Sequence, residues 1–223
     1  MPRRYKKKKT YKKKKYVRKR RLRSMGVPNG MPTQRLCKLR FANTGQLTSA
    51  TGGLATASYC ANGIFGCDIT AAPAGQPMGF DQWASLFNHY VVLGSRITVE
   101  WALPNQNHLY VAGTYLNDDN TLIYSKFADF KQARKGTQRV LVNQRNCVTT
   151  SSNFSAKKFF NVKDIKDNTD RLGGSITTNP SEQAVFVIYG QPMDGASNMS
   201  CRYLVTIDYI VAWSEPRDIP LSA

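Results

Sequence analysis

The sequence predicts an all-β fold: a single jelly-roll β-sandwich of about eight strands and one short helix, preceded by a basic arm. Three observations lead there. Apolar and polar residues alternate along several segments, the period of two that turns one strand face inward. Breaks rich in Gly, Pro and Asn separate these segments. Nothing resembles the regular strand–helix alternation of a parallel α/β sheet.

The arm comes first in the chain. Residues 1–40 hold eighteen of the thirty-two Lys and Arg and no acid, the first acid being Asp68. Residues 41–223 balance fourteen bases against all fourteen acids, so the formal charge of +18 belongs to the N-terminal part. Fifteen bases precede Ser24: Arg3, Arg4, Lys6, Lys7, Lys8, Lys9, Lys12, Lys13, Lys14, Lys15, Arg18, Lys19, Arg20, Arg21 and Arg23. Like charges this dense repel one another and bury no apolar surface, so the free arm is expected to be disordered. A flexible polycation suits a nucleic-acid backbone, which it binds by releasing counterions, with strong salt dependence and little sequence preference. Tyr5, Tyr11 and Tyr16 punctuate the basic blocks; they either stack on unpaired bases or simply space the lysines. Basic tracts of this kind also serve as nuclear localisation signals, read by an import receptor. A merely solubilising tail would not need so extreme a composition.

Gly26, Pro28, Gly30 and Pro32 break regular structure, which sets the expected division: 1–34 as arm and linker, 35–223 as the sandwich domain. Candidate strands are 35–43, 56–61, 96–103, 108–116, 137–148, 157–162, 182–190 and 203–213. The clearest alternation runs through Ile97, Val99, Trp101 and Leu103, and through the odd positions from Tyr203 to Trp213. One helix is predicted near 81–90, because Trp83, Leu86, Phe87 and Tyr90 fall on one helical face behind a capping Asp81. Loops 47–54, 118–132 and 191–200 are expected to supply subunit contacts or outer surface.

Other classes find little support. No apolar run of about eighteen residues occurs, which excludes a membrane-spanning helix, and no apolar stretch follows the early charges as in a secretory signal. Without such a signal, the patterns at Asn153 and Asn198 are not read as glycosylation sites. Cys37, Cys60, Cys67, Cys147 and Cys201 are odd in number and form no C-x-x-C pair, so they read as reduced, partly buried thiols with no zinc site. His89, beside the apolar helix face, and His108, at a strand start, read as polar or interface positions. Neither a P-loop nor a G-x-S-x-G elbow occurs. Asp118, Asp119, Asp164, Asp167 and Asp170 lack EF-hand spacing and are interleaved with Lys163, Lys166 and Arg171, which indicates a solvated charged loop. Gly52-Gly53 and Gly173-Gly174 read as turns. No catalytic residue, metal or cofactor is expected, and the chain is read as not an enzyme.

Four segments carry a resemblance: GFDQWASLFNHYVVLGSRITVEW (79–101), SSNFSAKKFFNVKDIKDN (151–168), NPSEQAVFVIYG (179–190) and CRYLVTIDYIVAWSEPR (201–217). In this order, behind a basic arm, they resemble the capsid proteins of circular single-stranded DNA viruses of the circovirus-like (CRESS) group. The resemblance implies a non-catalytic protein that self-assembles into a small icosahedral shell, with arms turned inward onto a circular single-stranded DNA genome. A homo-oligomer is expected, of sixty copies if the shell has the smallest icosahedral number, together with a host cell-surface receptor and location in the virion and, through the basic arm, the host nucleus. The arm departs from the best-known members in favouring Lys over Arg, which changes phosphate geometry more than total attraction. Sixty copies would carry roughly a thousand net positive charges inward. The competing readings are a non-capsid, basic-tailed protein that binds single-stranded nucleic acid and, further off, a hydrolase with a nuclear-targeting tail.

Overall fold

The computed structural model describes residues 32–102, 109–121, 123–133, 136–142, 147–165 and 168–217. Among them are nine strands: β1 (Gln34–Ser49), β2 (Ala55–Cys60), β3 (Phe87–Ala102), β4 (Tyr110–Asn117), β5 (Thr137–Leu141), β6 (Val148–Ser155), β7 (Gly173–Ser175), β8 (Val185–Pro192) and β9 (Met199–Pro216). Four helical segments of four to six residues join them: α1 (Phe80–Ala84), α2 (Phe127–Gln132), α3 (Ala156–Phe159) and α4 (Thr169–Leu172). None of the described helices is long and apolar enough to cross a membrane.

The strands form two antiparallel sheets in the orders β1-β9-β3-β6, with β7 added beside β3, and β2-β8-β4-β5. Strands distant in sequence are thus interleaved, and most connections carry the chain from one sheet to the other. This is the jelly-roll sandwich, built of two Greek keys. Its longest ladders are β1 on β9, from Gln34↔Ser214 to Ser49↔Met199, and β3 on β9, from Phe87↔Pro216 to Ala102↔Arg202. The second ladder shifts register between Val92 and Gly94, a bulge that lets one long strand serve β9, β6 and β7.

The two sheets differ in how they are covered. The odd positions of β9, from Cys201 to Trp213, point inward with Ile97, Val99 and Trp101 of β3, and all are buried. The even positions of β9 point outward and are mostly exposed or half-buried. All eight residues of β8 are buried, as expected of a central strand covered on both faces. The outer cover is α2. Phe130 packs among Tyr115, Val185, Val187 and Tyr189, with Phe127, Tyr124, Leu54 and Ile69 at the margin.

Several sequence expectations need correction. The 81–90 helix stops at Ala84; Phe87 and Tyr90 belong to β3, and Leu86 is exposed. Cross-strand pairing of Tyr90 with Trp213 outweighs helical periodicity here, while Trp83 stacks on Trp213 with ring centroids 6.3 Å apart. Gly79, at φ 87°, occupies the N-cap position in place of Asp81. The single strand 137–148 is two strands in different sheets, β5 and β6, clasped where the Thr137 hydroxyl donates to the Ser151 carbonyl at 2.6 Å. The predicted strand 157–162 contains helix α3 instead, because Phe159 and Phe160 close a three-ring cluster with Phe154. Gly173 and Gly174 lie in β7 rather than a turn. A Cβ on Gly174 would come within 2.3 Å of the Tyr90 ring, so this close pairing requires glycine.

Candidate nucleic-acid and assembly surfaces

The fifteen arm residues from Arg3 to Arg23 lie outside the described residues, as do His108 and Asp167. The described part begins just ahead of β1, an edge strand of the five-stranded sheet.

The outer face of that sheet is open. Register places Arg40, Asp208, Arg96 and Asn153 in one row across β1, β9, β3 and β6, so all four point the same way. Strand alternation adds Lys38, Arg202, Glu100 and the short side chains of Ala42, Thr44, Thr98 and Thr149 to the same face. Arg40 grips Asp208 with both arms of its guanidinium, Nε to Oδ1 at 2.6 Å and Nη2 to Oδ2 at 3.1 Å. The pair is solvent-exposed, and the carboxylate keeps the Arg40 pKa raised. Arg96 and Arg202 are exposed and hold no ion pair among the described residues. Toward one end the face dips into an open concavity of about 660 Å³, lined by Thr44, Gln46, Glu100, Cys147, Arg202 and Leu204.

The three loops expected to form contacts converge on one side chain. Gln191 is buried; its Nε2 donates to the Gly52 carbonyl at 2.7 Å and its Oε1 accepts from the Phe127 N–H at 2.8 Å. Further ties run from Gly52 N–H to the Ser197 carbonyl and from Thr51 N–H to the Asn198 side chain. Leu47–Ser49, expected in a loop, finish β1, and α2 occupies the end of the 118–132 segment, where it covers the protein's own sheet. An exposed apolar cluster of Leu109, Val140, Val142 and Met193 flanks this region. Beside it, Lys131 and Arg139 edge an open groove of about 450 Å³.

Side chains weighed for chemistry do not combine: Cys60 and Cys67 are neighbours, but the histidine and the loop carboxylates lie elsewhere. His89 sits on β3 rather than in the predicted Trp83 helix, with Nε2 3.3 Å from Glu215 Oε2. No Ser or Cys side chain hydrogen-bonds to it among the described residues. Burial pushes the thiols of Cys60, Cys67 and Cys201 up to about 12, the wrong direction for a nucleophile. Cys37 is raised less simply, because burial is opposed by a hydrogen bond from Trp213 Nε1 to its sulfur at 3.1 Å. Cys147 alone among the five is exposed. Asp118 and Asp119 border an open cavity with Arg171 and Glu182, which pair with each other. No group of three or more metal-ligating side chains occurs among the described residues.

Sequence reading missed two sets of polar contacts, one about buried Asp68 and one about half-buried Asn179. Asp68 accepts hydrogen bonds from Asn43, from Thr70 N–H and hydroxyl, and from Ala71 N–H. The Asn179 Oδ1 accepts from Phe65 and Gly66 N–H and from the Tyr90 hydroxyl. Burial raises the Tyr90 pKa well above its ordinary value, so that hydroxyl stays a donor. The signal for these residues was weak, since both sit in turn-rich segments that read only as breaks.

No protein-family model matches the chain, and no curated protein sequence matches it. Among solved structures it is similar to that of Desmodium yellow mottle tymovirus, at 12% identity and TM-score 0.41 over 89% of this chain and 97% of that one. It is also similar to the Macrobrachium rosenbergii nodavirus structure, at 11% identity and TM-score 0.47, over 98% of this chain and 62% of that one. A third is the mud crab tombus-like virus, at 13% identity and TM-score 0.45, over 85% of this chain and 94% of that one. Likeness at these identities is a likeness of fold.

Proposed function

We propose that the chain is a viral capsid protein that tiles a small icosahedral shell and packages a single-stranded DNA genome. In this reading residues 1–34 are the genome-binding arm, which also serves as a nuclear localisation signal, and residues 35–223 are the tile. A jelly roll hosts many functions, so the fold by itself does not decide. The observation that carries the reading is the charge partition. Fifteen bases precede Ser24 and the remainder of the chain is nearly electroneutral, which lets copies of the domain approach while the arms hold a polyanion. The separation of His89 from the thiols and from the Asp118 and Asp119 carboxylates supports a structural role over a catalytic one. DNA, rather than RNA, rests on the sequence resemblance of 79–101 and its companions, because counterion release does not read the sugar.

Electron microscopy and sedimentation of the purified full chain test this. Closed particles that protect DNA from nuclease are expected. A chain that remains monomeric or dimeric across salt and concentration overturns the shell and favours the basic-tailed binding module, and protected RNA overturns the genome type.

A further inference from the structure

We infer that the open outer face of the five-stranded sheet is a second polyanion-binding surface, one that lies against the phosphate backbone of the same single strand the arm grips. The inference rests on the nucleic-acid reading of the arm and extends it to the folded domain. Lys38, Arg40, Arg96 and Arg202 stand on this face against two acids, Glu100 and Asp208. Arg40 and Arg96 flank Asp208 from neighbouring strands, about 10 Å apart at the usual strand spacing. Short side chains at Ala42, Thr44 and Thr98 leave the Arg96 guanidinium clear for phosphate, which Arg binds through two parallel hydrogen bonds, while Arg40 is held by Asp208.

Two features favour a polyanion over a second copy of the chain. The exposed apolar residues on this face, Leu36, Leu204 and Ile210, are separated by charged and polar neighbours, and charge is depleted at the core of protein interfaces. Two copies meeting here symmetrically would bring like charges together. Order along the chain supports the same occupant, because the basic N-terminal residues are followed in sequence by edge strand β1, which starts at Gln34.

Asp208 then acts as an internal competitor. Its carboxylate occupies Arg40 in the free protein, so a phosphate must displace it before Arg40 contributes. This gives the face a gain-of-function variant as well as a loss.

The test is the salt dependence of binding of a fluorescent oligothymidylate to the full chain. Each phosphate contact on a single strand contributes about 0.7 to the slope of log K against log salt. The double variant Arg96→Gln, Arg202→Gln is expected to flatten the slope by about 1.4, and Asp208→Asn to steepen it by up to about 0.7. Both changes are at exposed positions, and a misfolded protein would not mimic the gain from D208N. Slopes equal to wild type in both variants overturn the proposal. So does a change in particle size or sedimentation with slopes unmoved, which would assign the face to a second copy. Slopes that shift as expected in a chain that never forms shells sink the capsid reading and leave this surface standing.

Discussion

The side-chain oxygen of Gln191 accepts a hydrogen bond from the backbone N–H of Phe127 at 2.8 Å, while its amide nitrogen donates to Gly52. One buried amide at the end of β8 therefore fixes both the helix that covers the four-stranded sheet and the turn between β1 and β2. Replacing Gln191 by Ala leaves both backbone groups without a protein partner. A loss of about 2–6 kcal/mol is expected, at roughly 1–3 for each unsatisfied buried group, read from the urea midpoint at constant m-value.

Phe130 stacks on Tyr189 with ring centroids 4.0 Å apart and planes 16° from parallel. Both residues are fully buried, so this contact seals the outer side of β8. Phe130→Ala should cost about 3–5 kcal/mol and expose that sheet face, seen as a lower denaturation midpoint with new binding of a hydrophobic dye.

Asn179 ties Phe65, Gly66 and Tyr90 together through one oxygen and returns its amide to the Gly66 carbonyl at 2.9 Å. Asn179→Ala removes these four bonds and the one its amide donates to the Cys60 sulfur at 3.4 Å. The expected cost is about 3 kcal/mol, with faster amide exchange at Phe65 and Gly66 in hydrogen-exchange measurements.

Thiol chemistry separates the cysteines by burial. At neutral pH one thiol, Cys147, should react rapidly with a disulfide reagent, and Cys147→Ser should abolish that fast phase. Cys60, Cys67 and Cys201 have folded values of about 12 against an ordinary 9.0, so the folded state holds these protons more tightly. Their contribution to stability is whole below pH 9 and is lost as pH rises toward 12. Buried Tyr115, pushed up to about 12 from 10.0, adds to the same slope. Urea midpoints of reduced protein should hold level to about pH 9 and fall above it; a midpoint that rises there contradicts the assignment.

Removing residues 1–34 takes away fifteen bases and leaves seventeen against fourteen acids. Affinity for single-stranded DNA at physiological salt should drop by roughly a hundredfold or more, with a much shallower salt slope, by fluorescence anisotropy. Truncated protein that retains wild-type amounts of nucleic acid on purification contradicts the role of the arm.

Read alone, the sequence determined the composition-level facts: the confinement of net charge to the first forty residues, the all-β class, and the inward faces of β3 and β9. These are legible because charge is additive along a chain and because a strand with one buried face alternates with period two. Tertiary structure decided the rest. Phe87 and Tyr90 fit a helical face as well as a strand, and only pairing with Pro216 and Trp213, well over a hundred residues away, selects the strand. The split of 137–148 between two sheets, and the meeting of Arg40, Asp208 and Arg96 in one row, likewise depend on which strands become neighbours. Local propensity carries no information about such distant partners. Burial and register supply it, and they exist only once the chain has closed into two sheets.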